Sequence, residues 1–460
     1  MARENNLGED KISRLILKLA IPSMLAQFVN VLYSIVDRIY IGNIPEIGPQ
    51  ALAGVGVCGP VVTLISSFAF LVGMGGAPLT AIRMGEGNQK GAEEILANSA
   101  AMLTALAVAL TAVFLIVKEP LLMTFGASET TFPYANTYMT IYTAGTVFAI
   151  LATGLNQFIT CQGYSTLSML TVMIGAVVNI ILDPVFIFVF DMGVAGAAVA
   201  TVIAQACSCA FVLAVLFSKR VKVRIRFTGF DKRVMKRVLT FGLSPFLINA
   251  TDSVVLIALN SMLQKYGGPG EGDKLVACAA IVMSCMQLIS MPMIGITGGT
   301  QPILSFNYGA KKINRIKQGE KGILLMTVLF AVVMFTLTHT VPDAFVRIFS
   351  SDPEYLELSV WGIQVYTACV IPMAFQYALV DGLTALGVPK AAVSLSLFRK
   401  GVLFALTLIL PMFLGAKSAF YAEPIADLIA GFTSTTTFLL IFGRLMKKRE
   451  AMPDGQALYS

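Results

Sequence analysis

Charge is what this sequence has least of: Asp, Glu, Lys and Arg together make up 13% of its residues, against about 25% in an ordinary soluble domain. So little charge cannot cover a water-facing globule of this length, which excludes a soluble fold. Histidine occurs once, as His339. A lone imidazole near the outer end of an apolar run fits a structural or interfacial role, not a metal cage or an acid–base pair. The seven cysteines are scattered, and Cys207 and Cys209 fall on different faces of one helix. They form neither a disulfide framework nor a metal-ligand spacing. Without a nucleophile, base and metal at one depth, an intramembrane enzyme is disfavoured. The first apolar segment is too long for a secretory signal and lacks a small-residue cleavage pattern, so it is expected to stay in place.

Hydrophobic residues are abundant, at 56% of the chain with a mean hydropathy of +0.78. They fall in runs of roughly 20 to 28 residues, enough to cross a hydrocarbon core of about 30 Å. Twelve runs are expected, at about 13–41, 52–80, 95–117, 134–158, 167–190, 193–217, 237–264, 276–306, 320–341, 358–385, 390–414 and 421–445. Lipid offers no partner to a free backbone amide, so the runs must be helices. With both termini placed inside, the inner loops and tails hold 25 Lys and Arg and the outer loops hold 5, a strong positive-inside bias. The net charge of +7 is therefore loop charge facing anionic lipid, and no nucleic-acid partner is implied.

The chain repeats itself at an offset of 224 positions: Leu64-Ile65-Ser66 falls on Leu288-Ile289-Ser290, Pro78 on Pro302, Tyr142-Thr143-Ala144 on Tyr366-Thr367-Ala368, and Gly163 on Gly387. Six spans per copy return the chain to its starting side, so the pseudo-two-fold axis should run along the membrane normal. The expected organisation is an N-terminal six-helix lobe (1–217), a basic cytoplasmic linker (218–236), a C-terminal six-helix lobe (237–446) and a cytoplasmic tail (447–460).

The few ionisable groups inside the spans carry the chemistry, because a carboxylate at mid-bilayer costs roughly 2.5–3.5 kcal/mol. Asp37 lies in the first span and Asp183 in the fifth. Asn179 is one helical turn before Asp183 on the same face, and Thr201 in the sixth span adds a hydroxyl. At 1.5 Å per residue Asp37, Asp183 and Thr201 all fall within roughly 12 Å of the outer boundary, so one oxygen-rich pocket can hold them. Carboxylate, amide and hydroxyl oxygens suit a hard cation, and two adjoining acids favour one bound proton or one bound cation. Structural acids, or Asp37 pairing with Arg38, are the competing reading. The second copy places about Asn260, Leu403 and Thr407 at the corresponding positions. The scaffold was copied and the acids were not, which argues for function.

The chain resembles the MATE (multidrug and toxic compound extrusion) transporters, close to their bacterial DinF/MepA-like branch, over about residues 10 to 446. The resemblance rests on Leu19-Ala20-Ile21-Pro22, Asp37, Asn179 through Asp183-Pro184, Gly193-Val194-Ala195-Gly196-Ala197-Ala198 leading to Ala200-Thr201, Arg399, and Pro424-Ile425-Ala426-Asp427. It implies an all-α membrane protein of twelve transmembrane helices in two pseudo-symmetric six-helix bundles. It implies export of cationic, amphipathic compounds from a bacterial plasma membrane, by alternating access in exchange for Na⁺ or H⁺. No other cofactor is implied, and a monomer is expected to suffice. Asp37, Asn179, Asp183 and Thr201 match the family's coupling-ion positions. The alternative within the same superfamily is a flippase for lipid-linked oligosaccharides, whose pyrophosphate cargo calls for cations along the cavity.

Some relatives also use acids in the seventh and tenth spans. Here Asp252 is a candidate second contact. Asp381 is expected to be neutralised across the hairpin near Val388 by Arg399 or Lys400, and Glu423 to face water at the outer rim. Gln27, Asn30, Tyr33, Asn156, Gln157, Met283, Gln287 and Met291 are candidate substrate-cavity residues, although Met and aromatic side chains in spans more often pack or face lipid. Prolines such as Pro22, Pro184 and Pro245 interrupt spans and permit bending.

Overall fold

The structure is a computed structural model that describes residues 5–125, 127–226, 229–268, 271–348 and 353–452. Arg3, counted among the inner basic residues, and the part of the expected tail beyond Met452 lie outside them. The described residues are almost entirely helical. The first copy comprises α1 (Ile12–Gly42), α2 (Gly48–Gly85), α3 (Gln89–Thr124), α4 (Phe132–Ala144), α5 (Thr146–Thr160), α6 (Ser165–Pro184) and α7 (Gly193–Phe217). The second comprises α8 (Lys232–Gly267), α9 (Glu271–Gly309), α10 (Ile313–Thr340), α11 (Pro342–Val346), α12 (Pro353–Tyr366), α13 (Val370–Ala385), α14 (Pro389–Leu414) and α15 (Ala422–Glu450). Ten helices are long and apolar enough to cross a membrane, and two bent pairs bring the total to twelve spans.

The sequence repeat reappears in the backbone at the same offset. Gln89 and Ile313, Thr146 and Val370, and Ser165 and Pro389 each begin matching helices 224 residues apart. Gly163 and Gly387 end matching helices with φ of +87° and +78°, a left-handed conformation that favours glycine. The fourth and tenth spans are not the straight helices expected. They bend by 57° between α4 and α5 and by 45° between α12 and α13. Three-residue hydrogen bonds tighten the chain at both breaks: Gly145 N–H donates to Tyr142 O at 3.0 Å, and Val370 N–H to Thr367 O at 3.2 Å.

Two compact units emerge. One contains the described residues up to Leu7 and Leu25–Phe246; the other contains Gly8–Met24 and the described residues from Leu247 onward. α1 and α8 each begin in one unit and end in the other. The packing explains why. In the first unit Gly75 of α2 lies against the backbone of Val238 and Gly242 on α8, and Gly242 lies against Leu71 O. In the second, Gly299 of α9, the repeat mate of Gly75, lies against Ser23 and Leu19 O of α1. Side chains at these crossings would hold the backbones apart.

The basic stretch after α7 is fastened within the first unit. Gln162 accepts from Val223 N–H at 2.8 Å and donates to Val223 O at 3.0 Å. Glu93 faces Arg226 at 3.5 Å, and Asn98 accepts from Asp231 N–H at 3.0 Å.

Candidate functional site

The acids of the first unit come together. Asp183 is fully buried near the end of α6. Its Oδ1 accepts from Asn179 Nδ2 at 3.1 Å, and the same amide donates to Thr201 Oγ1 on α7 at 3.4 Å. Asp37, on α1, lies within hydrogen-bonding reach of Asp183. Arg38 is exposed, and the Asp37 Oδ1 atom is buried without a hydrogen-bond partner. Immediately after Asp183, Pro184 removes one backbone donor and the chain runs on as a π-helical turn, Val185–Val189, closed by Phe190 N–H to Val185 O at 2.9 Å. Such turns recur at functional sites because they re-aim the side chains beside them. The matching part of α14 has none.

Tyr33, named above as a candidate cavity residue, completes the chamber together with Tyr138, Tyr142 and Gln205, which the sequence did not single out. Tyr33 is one turn before Asp37 on α1. Tyr138 and Tyr142 of α4 stack with ring centroids 6.1 Å apart; Tyr138 approaches Thr201 and Tyr142 approaches Gln205. Four oxygens in this group lack any hydrogen-bond donor among the described residues: Asp37 Oδ1, Asn179 Oδ1, Asp183 Oδ2 and Gln205 Oε1. Two carboxylates facing each other, with an amide and a hydroxyl beside them and no ion pair, form an acceptor-rich pocket that suits a proton or a hard cation. A periodic spacing could have flagged Tyr138 and Tyr142, which are four apart on one face.

The second unit distributes its charges differently. Arg399 of α14 is 4% exposed. It donates to Asp427 Oδ1 through Nε at 2.8 Å and lies 2.6 Å from Glu423 Oε1, both on α15. Glu423 is thus buried, not rim-exposed, and it also accepts from Tyr366 at 3.3 Å. Lys400 pairs with Asp252 of α8. The expected neutralisation of Asp381 by Arg399 or Lys400 is therefore overturned. All three side chains line one small cavity with Gln376 and Tyr377, but both cations are held by acids on α8 and α15. Asp252, the candidate second contact, is thus paired with Lys400, while Asp381 lines the cavity without an ion pair among the described residues.

The candidate cavity residues divide between the units. Asn30 and Gln287 are exposed, while Gln27, Tyr33, Gln157 and Met291 are half-buried. Asn156 is buried and donates to Ser168 O at 3.3 Å, a contact within its own bundle. Met283 packs on the apolar core of the second unit. His339 bonds Phe335 O at 2.9 Å and stacks on the Phe335 ring, as a structural residue would. Among the described residues no cluster of His, Cys, Asp and Glu could hold a metal ion, and all seven cysteines are free.

Comparison with known proteins agrees with this architecture. The chain is 23% identical over 428 residues to the multidrug export protein MepA of Staphylococcus haemolyticus, covering 92% of each chain. It is 22% identical over 439 residues to MepA of Staphylococcus aureus strain NCTC 8325, covering 95% of each. A MATE protein solved in complex with MaD3S superposes with a TM-score of 0.88 at 22% identity, over 96% of this chain and 98% of that one. A MOP superfamily transporter from Pyrococcus furiosus, described as having a binding pocket of reversed polarity that suggests a different function, superposes with a TM-score of 0.89 at 21% identity, over 95% and 97%. The MatE family model matches residues 22–185 and 246–417, one segment in each copy of the repeat, and the chain therefore belongs to the MatE family.

Proposed function

We propose that this chain is a secondary active antiporter that exports cationic and amphipathic organic compounds in exchange for Na⁺ or H⁺. One observation carries the reading. Asp37 and Asp183 converge in the first unit with unpartnered oxygens and, among the described residues, no ion pair, which is the arrangement an exchangeable ion requires. The names of the MepA relatives support the multidrug cargo. The lipid-linked oligosaccharide flippase is not favoured, because Arg399 and Lys400, the cations an anionic headgroup would need, are engaged by Glu423, Asp427 and Asp252.

The coupling ion enters at Asp37, Asp183, Asn179 and Thr201 and shifts an alternating-access equilibrium, with 1–217 and 237–446 as the two lobes. Coupling requires the ion to bind the outward- and inward-open states unequally. Gln27, Asn30, Tyr33, Gln157, Met283, Gln287 and Met291 are the proposed cargo contacts. The proposed setting is a bacterial plasma membrane with the protein acting as a monomer, and the charge bias supports both termini being cytoplasmic. The test is dye export from everted vesicles with Na⁺ and pH gradients imposed separately. Asp37→Asn and Asp183→Asn are expected to leave thermal stability within about 1 kcal/mol of the parent, since polar isosteres keep the packing, and to abolish gradient-driven export. Undiminished export from either variant refutes the assignment.

A further inference from the structure

Glu320 is the outlier among the acids of this chain. It lies on α10, seven residues past Ile313, and is 6% exposed. Both of its carboxylate oxygens are buried without a hydrogen-bond partner, and among the described residues it is the one acid with both oxygens in that state. The carboxylate presses on the backbone of α13. A Cβ on Gly382 would meet Oε2 at 2.7 Å and Oε1 at 2.8 Å, so the group is aimed at the position next to Asp381. Asp381 is the charged group that acts on it. The Asp381 side chain lies within hydrogen-bonding reach of Thr297 on α9, and its backbone carbonyl accepts from Gln301 Nε2 at 3.3 Å.

No cation answers this charge. Lys317 and Lys321, its neighbours on α10, are exposed. The start of α1 packs on α10 through Ile16 at Gly322, and its Lys11, Arg14 and Lys18 are not in ion-pair contact with Glu320. On α9 the titratable group at this end is Tyr308, which sits beneath Arg449. On α13 it is Tyr377, beside Arg399. Arg399 and Lys400 of α14 are held by Glu423, Asp427 and Asp252. An ionised carboxylate buried without donor or counter-charge costs several kcal/mol, and a bound proton removes that charge.

We propose that Glu320, buried against Gly382 next to Asp381, is a proton-binding residue of the second unit, distinct from Asp37 and Asp183. The ligand proposed is H⁺: among the described residues no group of three or more His, Cys, Asp and Glu side chains stands there to hold a metal ion. Proton binding there does not rest on the antiporter reading; only its use in a transport cycle does.

The test is infrared difference spectroscopy on the purified full chain in lipid nanodiscs, following the carbonyl stretch of protonated carboxyls across a pH titration. Glu320→Gln is expected to remove one protonated-carboxyl band per chain while the band from the Asp37–Asp183 pair persists. Asp381→Asn keeps Glu320 and is expected to displace the midpoint at which that band is lost, as coupled sites require. A spectrum unchanged by Glu320→Gln, or a midpoint unmoved by Asp381→Asn, overturns the proposal. So does loss of the band on adding Na⁺ at fixed pH, which would make the site a metal-cation site. Asp37→Asn serves as the internal control: its effect on export bears on the transport reading alone.

Discussion

Removing Arg399 leaves two carboxylates facing each other in a dry bundle. The guanidinium touches Asp427 at 2.7 and 2.8 Å and Glu423 at 2.6 Å, and both acids are almost wholly buried. Glu423 and Asp427 are four residues apart on α15, so their side chains start about 5–6 Å from each other. At an effective dielectric of about 20, two like charges at about 5 Å repel by about 3 kcal/mol. That agrees with the 3–5 kcal/mol generally lost when one partner of a buried ion pair is deleted. Arg399→Met should therefore destabilise the second unit by about 3–5 kcal/mol. The triple change Arg399→Met, Glu423→Gln, Asp427→Asn should recover most of that loss, because neutral groups of similar volume need no counter-charge. Reversible unfolding in mixed micelles, followed by circular dichroism against increasing denaturing detergent, measures both. A single variant that loses less than about 1 kcal/mol, or a triple variant no more stable than the single, would show that the cluster is not an electrostatic lock.

Two further outcomes follow from packing. Gly242→Ala puts a methyl group inside the van der Waals envelope of Leu71 O, where only backbone can yield, and should cost at least about 2 kcal/mol in the same unfolding titration. Gly56→Ala, whose added methyl meets nothing within 4 Å, should be close to neutral. Gln162→Ala removes both hydrogen bonds to Val223. At about 1 kcal/mol per bond it should speed limited trypsin cleavage between Arg220 and Arg226 roughly thirtyfold, and an unchanged cleavage rate would mean that other contacts hold this stretch.

The parts legible in the sequence were those written locally or twice. The 224-residue repeat fixed which helices match, and helical spacing put Asn179 and Asp183 on one face. Counting depth along three spans was enough to bring Asp37 and Thr201 within reach of them. The errors lie where tertiary neighbours decide. Hairpin logic made Asp381 the natural partner of Arg399, yet the partners are 24 and 28 residues further on, at Glu423 and Asp427. Glu320 sits between Lys317 and Lys321 at the expected edge of a span and reads as an interfacial charge. Only the backbone of Gly382 pressed against it reveals its burial. The breaks at Gly145 and near Thr367 leave no hydrophobic signature, because both arms of each bent pair stay apolar.

The two copies share a backbone and diverge in charge, and that divergence constrains any coupling scheme. In the first unit Asp37 and Asp183 form no ion pair among the described residues, so an arriving proton or Na⁺ changes the net charge of the chamber and can be felt by the helices that line it. In the second, Asp252, Glu423 and Asp427 are already paired with Lys400 and Arg399. An ion could reach Glu423 or Asp427 only by breaking a buried pair, at a cost of several kcal/mol, whereas the side chain of Asp252 is half exposed. The main cluster of the second unit is therefore a fixed element, and the exchangeable charge of that unit narrows to Glu320 and Asp381, which those cations leave unpaired. If export proceeds with one ion per cycle, that ion belongs at Asp37 and Asp183. A second ion per cycle has one place to bind in the other unit, and Glu320→Gln should then lower the ion-to-substrate ratio without stopping export.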